Sequence, residues 1–105
     1  MALLDSSLKR ELPQLYSNRD PRRAWVCARY YAPDKGIVWL VSEGSPDAED
    51  FEFYGCVVSD LPRWGYFSLG ELKAARKEGI RILRDKAFKK CRISKCLRAE
   101  RGSAG

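Results

Sequence analysis

The sequence predicts an α+β fold, an antiparallel meander of four to five strands with an N-terminal helix and one helix packed on the sheet. Three observations carry that prediction. Apolar residues recur at helical spacing only near the N-terminus and after Ser68. Between those segments lie runs rich in Val, Ile, Trp, Tyr and Phe, separated by turn residues. The intervening turns are short, and strands joined by short turns pair antiparallel. A length of 105 residues allows one domain.

Leu4, Leu8, Leu12 and Leu15 make one helical stripe, whose start Asp5, Ser6 or Ser7 caps. Pro13 disfavours helix at Leu12, so this helix is short. Residues 17–21 (Ser-Asn-Arg-Asp-Pro) read as a loop. Ala24–Ala32 and Ile37–Val41 are strand-like, and Pro33-Asp34-Lys35-Gly36 between them supplies hairpin turn chemistry. Glu43–Asp50 reads as an acidic loop around Gly44-Ser45-Pro46. Phe51–Ser59 is the next strand, with Phe51, Phe53, Gly55 and Val57 on one face and Tyr54, Cys56 and Val58 on the other. Apolar residues on both sides predict that both faces are covered. A short strand follows at Trp64–Phe67.

Ser68-Leu69-Gly70-Glu71 is a capping box that opens a helix carrying Leu69, Leu72 and Ala75 on one stripe. Gly79 is suited to end it. A further short strand is read at Ile80–Leu83. Arg84-Asp85 is an ion pair or turn element, and Ser94–Glu100 forms one or two helical turns. The predicted domain is 1–88. Residues 89–105 are a basic, partly disordered extension ending in a frayed tail at 102–105.

The net charge of +6 is unevenly placed. Residues 1–70 carry −2 and residues 71–105 carry +8. Glu43, Asp47, Glu49, Asp50, Glu52 and Asp60 gather in the middle without an intervening base. A basic terminal third fits three readings: a nucleic-acid footprint, a solvated surface, or a segment that meets the acidic one within the fold. No apolar run reaches signal-peptide or membrane-span length, so a cytoplasmic protein with no membrane contact and reduced thiols is expected.

The stretch Phe53-Tyr54-Gly55-Cys56-Val57-Val58, the block Trp64-Gly65-Tyr66-Phe67-Ser68-Leu69-Gly70-Glu71-Leu72 and the pair Arg84-Asp85 resemble a small bacterial family known only as a domain of unknown function. Leu12-Pro13-Gln14-Leu15-Tyr16 and Trp39 match it too. Tyr54, inserted between Phe53 and Gly55, and Cys56 depart from the family's pattern. The resemblance implies an accessory protein of plasmids and integrative elements. It brings no catalytic residues.

Catalysis is not expected. The absence of His removes His-dependent triads and metal sites. Cys91, Cys96 and Ser68 therefore have no His to activate them. Cys27 and Cys56 read as buried small hydrophobes. Asp47, Glu49, Asp50 and Glu52 are the residue types of glycosidase and divalent-metal sites, but in a turn-rich loop such acids are ordinarily solvated. Gly55, Gly65, Gly70 and Gly79 match no phosphate-binding loop. No metal or cofactor is expected.

The expected function is a non-enzymatic binding module acting on a host or element protein. The alternative is nucleic-acid binding through the basic end. The candidate binding residues are Lys73, Arg76, Lys77, Lys86, Lys89, Lys90, Arg92, Lys95 and Arg98, which in the alternative neutralise phosphates. Trp64, Tyr54 and Tyr66 are among the aromatics available for stacking.

Overall fold

The chain runs α1 (Ser6–Glu11), a 3-10 turn (Pro21–Arg23), β1 (Trp25–Val26), β2 (Ala28–Ala32), β3 (Ile37–Asp47), β4 (Asp50–Val58), β5 (Pro62–Ser68), α2 (Leu69–Lys77), β6 (Leu83–Arg84), β7 (Cys91–Arg92) and α3 (Ile93–Ala104). The computed structural model describes residues 2–17 and 20–104, with the side chains of α3 described through Glu100. Asn18 and Arg19 of the expected loop, and Gly105 of the expected tail, lie outside the described residues.

Five strands form one antiparallel sheet in the order β5-β4-β3-β2-β6, so the expected α+β meander is present. Helix α2 carries the chain from one edge strand, β5, to the other, β6. The Ser68 hydroxyl accepts from the Glu71 amide at 3.1 Å, as the capping box requires. Gly79 follows the helix at φ +100, a conformation that side chains resist. At the other helix, the Asp5 carboxylate accepts from the Leu8 amide at 2.9 Å, and α1 stops before Pro13.

Strand β3 is longer than expected. It continues through Gly44-Ser45-Pro46, which pair with Phe53, Glu52 and Phe51 of β4. β2 pairs only with Ile37–Val41 of β3. Beyond that point β3 has β4 alone as its strand partner, and proline is tolerated where no ladder bond is lost. A register shift between Val41 and Glu43 marks a β-bulge at Ser42. Gly55 opposite is obligatory, because a Cβ there would stand 2.0 Å from the Leu40 carbonyl oxygen.

Both faces of the sheet are covered. On the first, Leu3, Leu8 and Leu12 from the N-terminal segment and Leu72 of α2 meet Tyr30, Phe51, Phe53 and Phe67. On the second, Val26, Leu40 and Cys56 pack with Ile93 and Cys96 of α3. The segment after Phe88 was expected outside the domain. Instead it supplies β7 and α3, and it buries Ile93 and Cys96. Register explains this: β7 pairs with β1, Trp25 opposite Arg92 and Val26 opposite Cys91, and starts α3 against the sheet.

The expected free thiols also need correction. Cys91 and Cys96 are joined in a disulfide, Cα to Cα 6.6 Å, because the step from β7 into the first turn of α3 brings them together. Cys27 and Cys56 are free, and burial raises both thiol pKa values. Arg84 and Asp85 pair with other residues rather than each other. Arg84 bridges Asp5 at 3.0 Å, and Asp85 bridges Arg29 at 3.2 Å. Arg29 also holds Glu100 of α3 at 2.6 Å.

Candidate nucleic-acid interface

The Trp25–Arg92 register puts an indole and a guanidinium side by side on the two-stranded ribbon β1-β7. Val26 is fully buried, so strand alternation turns Trp25 outward, where it is 43% exposed. The Arg92 guanidinium lies 4.2 Å from the centroid of that ring, and Lys90 Nζ lies 5.4 Å from it. Such cation–π contacts are worth about 0.5–1 kcal/mol at exposed sites. Arg92 also donates to the Arg23 carbonyl at 2.5 Å, so the ribbon is tied to the 3-10 turn.

That turn contributes two cations that the sequence reading did not single out. Arg22 and Arg23 line one cleft with Arg92 and Ser94. Arg22 bridges Asp20 at 3.2 Å and lowers that carboxyl's pKa, but its side chain is 89% exposed, where an ion pair holds weakly. The available signal was local. Pro21-Arg22-Arg23 adjoins a tryptophan whose alternation with Val26 points it outward.

The nine expected binding residues do not form one surface. Lys90 and Arg92 reach the ribbon. Lys86 and Lys89 are exposed on the approach to β7, and Lys95 and Arg98 are exposed on α3. Lys73, Arg76 and Lys77 belong to α2, whose Leu72 packs on the first face of the sheet, opposite the ribbon and α3. Lys73 and Lys77 are exposed there. Arg76 donates to the Ile82 carbonyl through Nε at 3.0 Å and Nη2 at 2.6 Å, closing α2 onto the segment before β6. Helix packing, not charge, decides this division.

A second cleft adjoins the arginines and shares Arg23 and Arg92 with the first. Trp25, Ser42 and Glu43 also line it. The Leu12–Tyr16 segment is docked beside it on the bulged part of β3. Leu15 N–H donates to Ser45 Oγ at 2.9 Å, Tyr16 N–H donates to Glu43 Oε1 at 3.0 Å, and Gly44 N–H donates to the Pro13 carbonyl at 2.9 Å. Tyr16 takes φ 68 and is 78% exposed, unusual values for a tyrosine. Its ring stands 6.0 Å from that of Tyr66, which continues through Tyr54 at 4.8 Å to Trp64. Desolvation and the neighbouring Tyr16 raise the Tyr66 phenol's pKa.

The acids of the middle segment gather elsewhere. Glu52 has its carboxyl pKa raised by desolvation and by the charges of Glu71, Asp47 and Asp50. Asp50 has its pKa lowered by the Phe51 and Gly70 amides, and the second of these bonds ties β4 to the start of α2. Among the described residues no cluster of three or more acids or cysteines is placed to hold a metal ion. Among them, too, no helix is long and apolar enough to cross a membrane.

The family model described as a protein of unknown function, DUF2958, matches residues 4–104. No curated protein and no solved structure matches the chain.

Proposed function

The chain belongs to the DUF2958 family, which spans nearly all of it, and within that family we propose that it is a non-enzymatic nucleic-acid-binding module of a mobile-element accessory protein. One observation carries the binding reading. Arg22, Arg23 and Arg92 line a single cleft beside an exposed tryptophan, while the acids Asp47, Asp50 and Glu52 cluster with Glu71 at the α2 start. Guanidinium groups suit phosphate because they present several donors in a planar fork. Exposed aromatic rings add stacking that tolerates any base. The mobile-element part of the reading rests on the resemblance carried by the Gly65–Leu72 block.

The test is binding of mixed-sequence DNA and RNA across a salt series. Each neutralised phosphate contributes about −0.9 to the slope of log K against log salt on duplex DNA, and about −0.7 on single strands. Replacing Arg23 and Arg92 together with Ala is expected to flatten the slope by nearly two phosphate contacts. No binding at about 50 mM salt would remove the reading.

A protein partner is the second reading, favoured by the open edge of the sheet. Among the described residues strand β5 pairs only with β4, and Leu61 beside it is 62% exposed. An added strand would pair along this edge. Leu61→Glu would then abolish a stoichiometric complex that survives nuclease treatment.

A further inference from the structure

The second cleft holds a group that the protein itself leaves unsatisfied. Ser42 is 3% exposed, yet its Oγ has no hydrogen-bond partner among the described residues. Buried hydroxyls are nearly always bonded, and each exception calls for an explanation. An unmade bond costs the full desolvation of the group. Ser42 is also the bulged residue of β3, and it lines the cleft with Trp25, Arg23 and Arg92. Bulges recur next to functional sites, where they re-aim a side chain. The neighbouring Tyr16 holds a left-handed backbone conformation that tyrosine rarely adopts, and such strain concentrates at ligand clamps.

We infer that this cleft seats one nucleotide unit, either free or as part of a single strand. The inference rests on the nucleic-acid reading and deepens it. The cleft, open to solvent, offers about 420 Å³, enough for a base and sugar to lie in it. Arg23 and Arg92 are common to both clefts, so a phosphate held by them lies at the junction. From there a base lies against Trp25, where it competes with the stacked Arg92 guanidinium, and meets the buried Ser42 hydroxyl once the side chains over it part. Glu43 and Asp20 also line the cleft; Asp20 is paired with Arg22, and both carboxylates disfavour a phosphate anywhere but against Arg23 and Arg92. A duplex cannot enter, because its bases are stacked and paired; a base must be unpaired to lie in a side-chain pocket. The reading therefore assigns a preference for single strands, beyond general attraction to phosphate.

The test uses the full oxidised chain and two sets of probes. The first is inorganic phosphate and the four nucleoside 5′-monophosphates, titrated by calorimetry. At least one monophosphate is expected to bind about tenfold or more tightly than phosphate, the range that one stacking contact supplies. The second set is a ten-nucleotide single strand and its duplex at matched salt, the single strand binding more tightly. Ser42→Ala is expected to weaken the monophosphate and the single strand about fivefold, the value of one hydrogen bond, and to leave duplex and phosphate binding unchanged. Trp25→Ala, with its folding checked by circular dichroism and urea midpoint, is expected to cost about tenfold in the same two measurements.

Equal binding of phosphate and every monophosphate would overturn the inference and reduce the cleft to an anion site. Duplex binding at least as tight as single-strand binding, with Ser42→Ala silent, would overturn it too, yet leave the electrostatic reading intact. Monophosphate binding without affinity for any strand would uphold the pocket and sink the nucleic-acid reading. Binding of no probe would sink both.

Discussion

The two faces of the sheet are held by different means. On the first, Phe53 sits among Tyr30, Phe51 and Phe67, with ring centroids 5.3–5.9 Å apart, and helix α2 closes over them. On the second, the buried side chains are smaller, among them Ala24, Val26 and Cys56. Order there is supplied by the Cys91–Cys96 disulfide, the Arg29 pairs with Asp85 and Glu100, and the stacking of Arg92 on Trp25. The first face is sealed by apolar area. The second leaves an indole in solvent beside Lys90 and Arg92. Cross-links and ion pairs fix exposed groups in place where a thick apolar layer would have buried them.

The largest test of this contrast is Phe53→Ala. Removing a buried phenyl ring from a packed core costs about 3–5 kcal/mol. That is a large share of the ~5–15 kcal/mol by which a domain is stable, so the urea midpoint should collapse. Reducing the disulfide should have a smaller effect. The loop it closes is short, with five residues of separation, and the chain-entropy estimate is about 2 kcal/mol. Thiol titration under denaturing conditions should find two reactive groups before reduction and four after. If reduction destabilised the chain more than Phe53→Ala did, the second face would be the one that holds the fold.

The first face was largely legible in the sequence, because its signals are local. The Ser68 cap, the Gly79 stop and the alternation of Phe51, Phe53 and Val57 each lie within a few residues. The family was legible too, as a domain of unknown function. The second face was not, because it depends on contacts across the chain. Arg92 meets the Arg23 carbonyl 69 residues away, and only the β1-β7 register brings them together. Two-residue strands leave no periodicity to read. Spacing alone does not say whether Cys91 and Cys96 are bonded. The extension of β3 through Gly44-Ser45-Pro46 ran against local propensity, and pairing with β4 overrode it. Cations were visible as a class, but charge gives no direction, and so α2 and the ribbon seemed to share a surface.

The smallest expected effect lies where the first face ends, in two acids of β4 whose environments act in opposite senses. Asp50 accepts from the Phe51 and Gly70 amides, and its pKa falls below the ordinary 3.8. Its bonds therefore stabilise the fold above that value, and the contribution is lost as pH drops through the lowered folded-state pKa. Glu52 has its pKa raised above 4.5 by desolvation and by the charges of Glu71, Asp47 and Asp50. A carboxyl with a raised folded-state pKa costs stability once it ionises, and the cost is relieved as pH falls through that pKa. Asp50→Asn should therefore lower the urea midpoint at pH 7, and Glu52→Gln should raise it. Both differences from the parent chain should shrink towards pH 3. Midpoint differences that stay constant across this range would mean that neither charge matters, and that the tie from β4 to α2 holds through hydrogen-bond geometry alone.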